Sequence, residues 1–334
     1  MRTPRIIGIG TSYYHVMSRT TAREYLFGAA EKECFRRMMR RIAQFSGINV
    51  LTYCLMDNHF HLLIEVPNEG PTNLSDEELV KRVAFLYDRF SVKTLKKRLQ
   101  QALADNDVKA YYELREQYEY RMENLSEFMK ALKQRYSVWY NRTHGRKGTL
   151  WEERFKSVLI ESPQHDQEQK HIGPCALSTV AAYIDLNAVR ANIVADPKDY
   201  RWCGCADALG GTRLALAGLK RLMELKEGGT AAAYDAARRY HGYVASKGCG
   251  SPLQCGKSEG VGKGQLSLSD MLRCHVRYFN DGLVIGSRGF VDGFFEEHRH
   301  LFGEKRRSGA RRMKGGGRND LCAIRDLQNS PISL

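Results

Sequence analysis

The sequence lacks any apolar run near the roughly 18 residues that a membrane-spanning helix requires. A spanning protein is therefore not expected. The opening stretch from Met1 to Gly10 has no apolar signal-peptide core, so a cytoplasmic location is the expectation. No Cys-x-x-Cys pair occurs among the nine cysteines, and their odd, scattered placement excludes a secreted disulfide framework. Free thiols in a reducing compartment are expected instead. Cys203-x-Cys205 and Cys249-x5-Cys255 have poor spacing for zinc, and no nearby histidine completes either set. A Gly-x4-Gly-Lys-Ser/Thr loop is also missing, so ATP is not expected to drive any reaction. No repeat of solenoid period appears.

What is abundant is positive charge. The 334 residues carry 52 Lys and Arg against 38 Asp and Glu, a formal net charge of +14. Such an excess favours an anionic partner, most often nucleic acid. No long basic amphipathic anchor is present, so a membrane surface is not the expected partner. Hydrophobic residues make up 43% of the chain, which is ordinary globular usage.

The hydrophobic pattern predicts the order of elements. Ser12–Ser18 has strand composition. Residues 31–46 read as a helix, with Phe35, Met38, Met39, Ile42 and Phe45 on one face and Gly47 as its C-cap. Asn49–Met56 and His59–Val66 read as two strands joined by a turn at Asp57-Asn58. Ser75 is a candidate N-cap. Residues 91–123 read as a helical insertion. Leu125, Phe128, Met129, Leu132, Tyr136 and Trp139 mark a further helix, Thr149–Ile160 a strand and 175–190 a helix. With the insertion set aside, this is the β-α-β-β-α-β order of an α+β, ferredoxin-like antiparallel sheet with helices on one face.

His59-Phe60-His61 is the sharpest local feature. Residues i and i+2 of a strand share a face, so both imidazoles project together while Phe60 points the other way. Two imidazoles on a rigid strand suit a divalent metal, and they also suit a plain solvated sheet face.

The run Thr52-Tyr-Cys-Leu-Met-Asp-Asn-His-Phe-His-Leu-Leu-Ile-Glu-Val66 resembles the His-hydrophobe-His strand of single-tyrosine (HUH) transposases. More narrowly it is similar to the REP-associated tyrosine transposases, relatives of the insertion-sequence-200 transposases. Asp57 stands where that family usually has Pro. Tyr14-His-Val-Met-Ser-Arg19 resembles the family's first strand. Asn141–Arg146 and Gly148-Thr-Leu-Trp-Glu-Glu-Arg-Phe-Lys-Ser157 resemble its Trp and Arg-Phe-Lys-Ser segment. Ala182-Tyr-Ile-Asp-Leu-Asn-Ala-Val-Arg190 resembles its Tyr-Ile-x-x-Asn-Pro-x-Arg helix, with Ala188 in place of Pro. Asp196–Trp202 resembles the family's next segment, and all the motifs occur in family order.

Among 17 tyrosines, Tyr183 is paired with Asn187 at i, i+4 on the predicted helix. By spacing alone Tyr183 reads more readily as a core aromatic, flanked by Val180 and Ile184, and Tyr136 and Tyr140 are rivals. The resemblance implies that Tyr183 is the nucleophile. It also implies that Asn187 joins His59 and His61 as ligand to Mg²⁺ or Mn²⁺. The expected reaction cleaves and rejoins single-stranded or hairpin DNA through a 5′-phosphotyrosine link. For His15 a structural or DNA-facing role is expected. Arg154 and Lys156 share a strand face and suit backbone phosphates. Trp151 and Tyr53 are candidates for base stacking.

The expected organisation is a catalytic domain at 1–205, an extension at 206–302 with a helix near 214–226, and a flexible basic tail at 303–334. Residues 299–318 hold eight Lys or Arg, among them Arg306, Arg307, Arg311 and Arg312. Such an arm suits phosphate binding without sequence choice. The resemblance allows a homodimer. The rival readings are an HUH replication initiator or relaxase, and a domesticated protein that binds hairpins without cleaving them.

Overall fold

The computed structural model describes residues 6–8, 10–67, 74–163, 175–227, 232–248, 279, 283–312 and 321–324. Its centre is β1 (Ser12–Arg19), α1 (Ala29–Ser46), β2 (Asn49–Leu55), β3 (His59–Val66), α5 (Leu125–His144) and β4 (Lys156–Ile160). The strands pair antiparallel in the order β2-β3-β1-β4, the ferredoxin-like arrangement expected. Gly47 ends α1 in the left-handed region at φ 69, where a residue without Cβ is unstrained. The stretch that Ser75 opens forms α2 (Asp76–Val83), and the insertion expected at 91–123 forms α3 (Arg89–Ala104) and α4 (Val108–Glu119). Ser75 caps α2 through Glu78 N, and Leu79, Leu95, Leu99 and Leu114 pack with Phe45 of α1 into a small core of their own.

Strand alternation divides the interior in two. Val16, Phe60, Leu62 and Ile64 face α1 and α5, meeting Phe35, Met39, Phe128 and Tyr136. Tyr13, Leu63, Val158 and Ile160 face the other way, under α6 (Ala176–Asp185), α9 (Arg213–Glu227) and α10 (Ala233–Gly248). Helices therefore cover both faces, not one as expected, because the second face also presents apolar side chains that must be buried. α9 lies so close to β2 that a Cβ on Gly218 would come within 2.5 Å of the Val50 carbonyl oxygen. The helix predicted at 175–190 breaks: α6 stops at Asp185, and α7 (Asn187–Arg190) follows after Leu186 leaves helical geometry.

Residues beyond 206 join the same sheet. β5 (Val284–Gly286) adds parallel to β4, then β7 (Cys322–Ile324) and β6 (Arg311–Arg312) complete seven strands. α8 (Gly204–Leu209) sits beside β2, and α11 (Arg288–Glu297) packs Val291, Phe294 and Phe295 against the first face. Part of the segment expected to be a flexible tail is thus built into the fold. The reason is local: Leu321–Ile324 is an apolar run that pairs with β5 and is buried. The Cys249 and Cys255 pair, Lys314 and Arg318 lie outside the described residues. No described helix is long and apolar enough to cross a membrane.

Candidate active site

Register decides which side chains meet. On neighbouring strands Arg19 lies opposite His59, Met17 opposite His61 and His15 opposite Leu63. His15, His59 and His61 therefore project from one face. The His61 ring centroid is 5.1 Å from both His59 and His15. α6 crosses this face and delivers Tyr183, whose ring is 6.1 Å from His61 and 6.0 Å from His15. Residues more than 120 positions apart in sequence are so brought together, on the side of the sheet that the alternation argument assigns to the histidines.

Tyr183 is enclosed. Phe279, from the C-terminal third, covers one side with ring centroids 4.4 Å apart. The Arg190 guanidinium carbon lies 4.0 Å from the ring centroid, and Arg190 Nη2 donates to the Tyr183 carbonyl at 2.8 Å. The Tyr183 side chain is 2% exposed. Asn187 folds back on the helix end, where its Nδ2 donates to the carbonyls of Tyr183 (3.2 Å) and Ile184 (3.0 Å). Those contacts brace the helix end where it breaks, beside the bond from Arg190 to the same Tyr183 carbonyl. The amide's carbonyl oxygen is the donor atom Asn187 has left to offer.

Burial sets the charge state of the histidines. It lowers His15 to about 4, and His61 lies well below the usual histidine value from burial first and then from His15, His59 and the nearby arginines. Both imidazoles are neutral near pH 7, the form in which a ring nitrogen can ligate a metal. His59 Nδ1 lies 2.7 Å from Asn58 Oδ1, which can only accept. His59 Nδ1 therefore carries a proton, which it donates to Asn58. Among the described residues no group of three His, Cys, Asp or Glu gathers in metal-binding geometry. A cation here would rest on two imidazoles and an amide oxygen, a neutral mixed donor set that suits Mn²⁺ or Mg²⁺. On donor chemistry the three residues fit the group.

Deeper in the same face, Asp185 is fully buried. Its carboxylate accepts from Thr52 (2.8 Å), Tyr240 (2.6 Å) and the Cys205 backbone N–H (3.0 Å). Burial outweighs those bonds and pushes it up to about 6.

The remaining expected contacts divide. Lys156 lies opposite Met17 and so shares the face of His15 and His61; it is exposed at the rim, with Arg154 exposed just before it. Trp151 is not available to stack on bases. It is 8% exposed, packs against Phe27, Phe60 and Tyr136 on the opposite face, and donates its Nε1–H to Ser137 Oγ at 2.8 Å. Tyr53 is likewise buried, with its hydroxyl on Asp207 at 2.7 Å. Tyr136 and Tyr140 belong to the opposite core, remote from the histidine face. Arg306 is tied down by the carbonyls of Ser308 and Gly309 and lies over the Phe302 ring, so it braces its own loop. Arg307 and Arg311 are exposed, and Arg312 sits in β6.

Three participants escaped the motif reading as part of the site: His15 as a partner of His61, Arg190 against Tyr183, and Phe279. His15 had a signal, since strand parity places residues 13, 15, 17 and 19 on one face. Phe279 had none.

Comparison with known proteins agrees with the motifs. Residues 9–111 match the family model described as transposase, IS200-like. No curated protein matches the sequence. Among solved structures, a REP-associated tyrosine transposase bound to a REP hairpin aligns at 10% identity with a TM-score of 0.37, covering 63% of this chain and 87% of that one. A Deinococcus radiodurans R1 protein described as a candidate transposase aligns at 15% identity with a TM-score of 0.25, covering 52% and 95%. The segment that carries His15, His59 and His61 is thus a match to the IS200-like transposase family.

Proposed function

We propose that the protein is a metal-dependent single-tyrosine transposase that cleaves and rejoins single-stranded or hairpin DNA. The observation that carries this reading is the convergence of Tyr183 with His59 and His61 on one sheet face. In this reading Tyr183 Oη forms a bond to phosphorus and the bond to the 3′ oxygen breaks. The phenol's proton is balanced by the one gained on the released 3′-OH. The 5′-phosphotyrosine link keeps the phosphodiester energy, so a second 3′-OH reverses the step without ATP. His59, His61 and Asn187 would hold a divalent cation, which supplies charge withdrawal from the phosphate and its orientation for in-line attack. Lys156 and Arg154 hold the DNA backbone at the rim, and Arg190 fixes the position of Tyr183 through ring and carbonyl. Residues 1–205 carry the catalytic groups, and Phe279 of the extension covers Tyr183. The net charge of +14 suits a polyanionic substrate.

One observation favours a second reading, a hairpin-binding protein that does not cleave: the Tyr183 ring is only 2% exposed. In the enzyme, Phe279 must yield before a phosphate reaches the phenol. A labelled hairpin incubated with the protein and Mn²⁺, then run on denaturing and native gels, separates the two. The enzyme forms a covalent adduct that Tyr183→Phe abolishes while the native shift persists, and Tyr136→Phe and Tyr140→Phe retain it. A wild-type shift with no adduct establishes the binder.

A further inference from the structure

The motif leaves His15 without a task, yet both of its ring nitrogens make a directed contact. Its Nδ1 lies 2.7 Å from the backbone carbonyl of Phe279, 264 residues downstream. Its Nε2 lies 2.9 Å from Nδ1 of His61. Both rings are 2% exposed, so water does not compete for these nitrogens.

A carbonyl oxygen can only accept. The His15 proton must therefore sit on Nδ1, and His15 Nε2 carries a lone pair. That lone pair can only accept from His61, so the proton of His61 also sits on Nδ1. By elimination Nε2 of His61 is bare. The order runs one way: His61 Nδ1–H to His15 Nε2, and His15 Nδ1–H to the Phe279 carbonyl. His59 Nδ1 is likewise a donor, to Asn58 Oδ1 at 2.7 Å.

We propose that His15 is a positioning residue: anchored by the Phe279 carbonyl, it holds His61 in the tautomer whose Nε2 is free to bind a cation. This rests on the reading of His61 as a metal ligand. A ligating imidazole generally donates its other N–H to an acceptor that sets tautomer and orientation. A carboxylate commonly fills that place. Here the acceptor is a neutral imidazole, which brings no unpaired charge into a buried site. The anchor also explains why the C-terminal third reaches the site. Without the Phe279 carbonyl, His15 could turn its own Nε2–H toward His61 and force the opposite tautomer.

The test begins on metal-free, ¹⁵N-histidine-labelled full-length protein, where long-range ¹H–¹⁵N spectra show which ring nitrogen of His61 bears the proton. The expected wild-type result is Nδ1–H with a bare Nε2. His15→Phe removes the acceptor and should shift His61 toward the Nε2–H form. It should also weaken Mn²⁺ binding, measured by paramagnetic titration, about 10- to 100-fold. His15→Gln offers an amide oxygen in place of the imidazole and should restore the Nδ1–H form and most of the affinity. A wild-type His61 protonated on Nε2 overturns the proposal, as does an unchanged tautomer in both variants. Should His15→Phe fail to fold, the wild-type spectrum and His15→Gln still decide. Wild-type protein that shows the expected tautomer but binds no Mn²⁺ upholds the hydrogen-bond assignment and refutes the metal site. Mn²⁺ binding with the wrong tautomer does the reverse.

Discussion

Phe60 and its neighbours His59 and His61 share one strand and face opposite ways. On the Phe60 side the sheet meets α1 and α5 through Phe35, Tyr136, Trp151 and aliphatic side chains. On the histidine side it meets α6, and there His15, His61, Thr52, Asp185, Asn187 and Arg190 are all buried among apolar groups. The first face is chiefly a packing surface of aromatic and aliphatic groups, its buried polar atoms, among them the Tyr53 hydroxyl and the Trp151 N–H, carried on large rings. The second holds polar groups that cost stability to bury unless each finds a partner. The bonds of His15 to His61 and Phe279, and of Asp185 to Thr52 and Tyr240, are directed hydrogen bonds between elements remote in sequence. The contrast teaches that stability and chemistry are separated by strand parity: one residue step moves a side chain from one task to the other.

That separation can be broken from either side. Phe60→Ala opens a cavity in the packing face and should cost about 3–5 kcal/mol of stability. A denaturant titration measures it. Adduct formation per folded molecule should survive, because both histidines keep their face. Loss of chemistry without loss of stability would show that the faces are not independent.

The reverse substitution is His59→Ala or His61→Ala. Charge stabilisation by a bound cation is worth several kcal/mol, so each should slow cleavage by about a hundredfold or more. Hairpin binding should change little, and the thermal midpoint should hold for the half-buried His59→Ala but fall for His61→Ala, which removes a buried ring and leaves His15 Nε2 without its donor. Unchanged cleavage, or unchanged cleavage by wild type in excess chelator, would remove metal from the reaction.

Buried polar groups on the histidine face also write a pH signature that the other face cannot. Asp185 is raised to about 6 in the folded protein against an ordinary value near 3.8. Between those values the folded state holds the extra proton, so this group's contribution falls as pH rises from 4 to 6. The shift corresponds to about 3 kcal/mol at most. His15 acts in the opposite sense: lowered to about 4, it withdraws stability as pH falls below 6.5. The two partly cancel in the wild type. In Asp185→Asn only the histidine loss remains. The stability of that variant relative to wild type should therefore climb by about 2–3 kcal/mol between pH 4 and pH 6, read from chemical denaturation at each pH. A flat difference would show that Asp185 does not titrate in that window.

The smallest effect belongs to the basic segment. Truncation after Phe302 is a poor probe, because it removes β6 and β7 from the sheet. Replacing the exposed Arg307 and Arg311 with Ser leaves those strands in place. For each arginine that pairs with a phosphate of a single strand, its removal should flatten the slope of log K against log salt by about 0.7. Cognate and scrambled hairpins should weaken alike, since such side chains find phosphates rather than bases. Selective weakening for one hairpin would make these arginines sequence readers.

The sequence alone determined what depends on short-range periodicity. Alternation placed His59 and His61 on one face and Phe60 on the other, and the order of strands and helices settled the ferredoxin-like centre. Helical spacing marked α1, α5 and α9 to within a few residues. Spacing was insufficient where the decision lay with partners far along the chain. Trp151 looked as suited to a base as to a core, and only the packing of Phe27, Phe60 and Tyr136 around it decided. The basic composition of 303–334 concealed two strands, because strands of two or three residues need a sheet edge to exist, and β5 supplies one to β7, which in turn pairs with β6. Phe279 could not be read at all: its task is performed by a backbone carbonyl, which every residue has, and by a ring that matters only where Tyr183 stands. Composition and periodicity select local conformation and face. Which carbonyl meets which imidazole is settled by the long-range closure of the fold, since hydrogen bonds are directional and short and depend on the final placement of both partners.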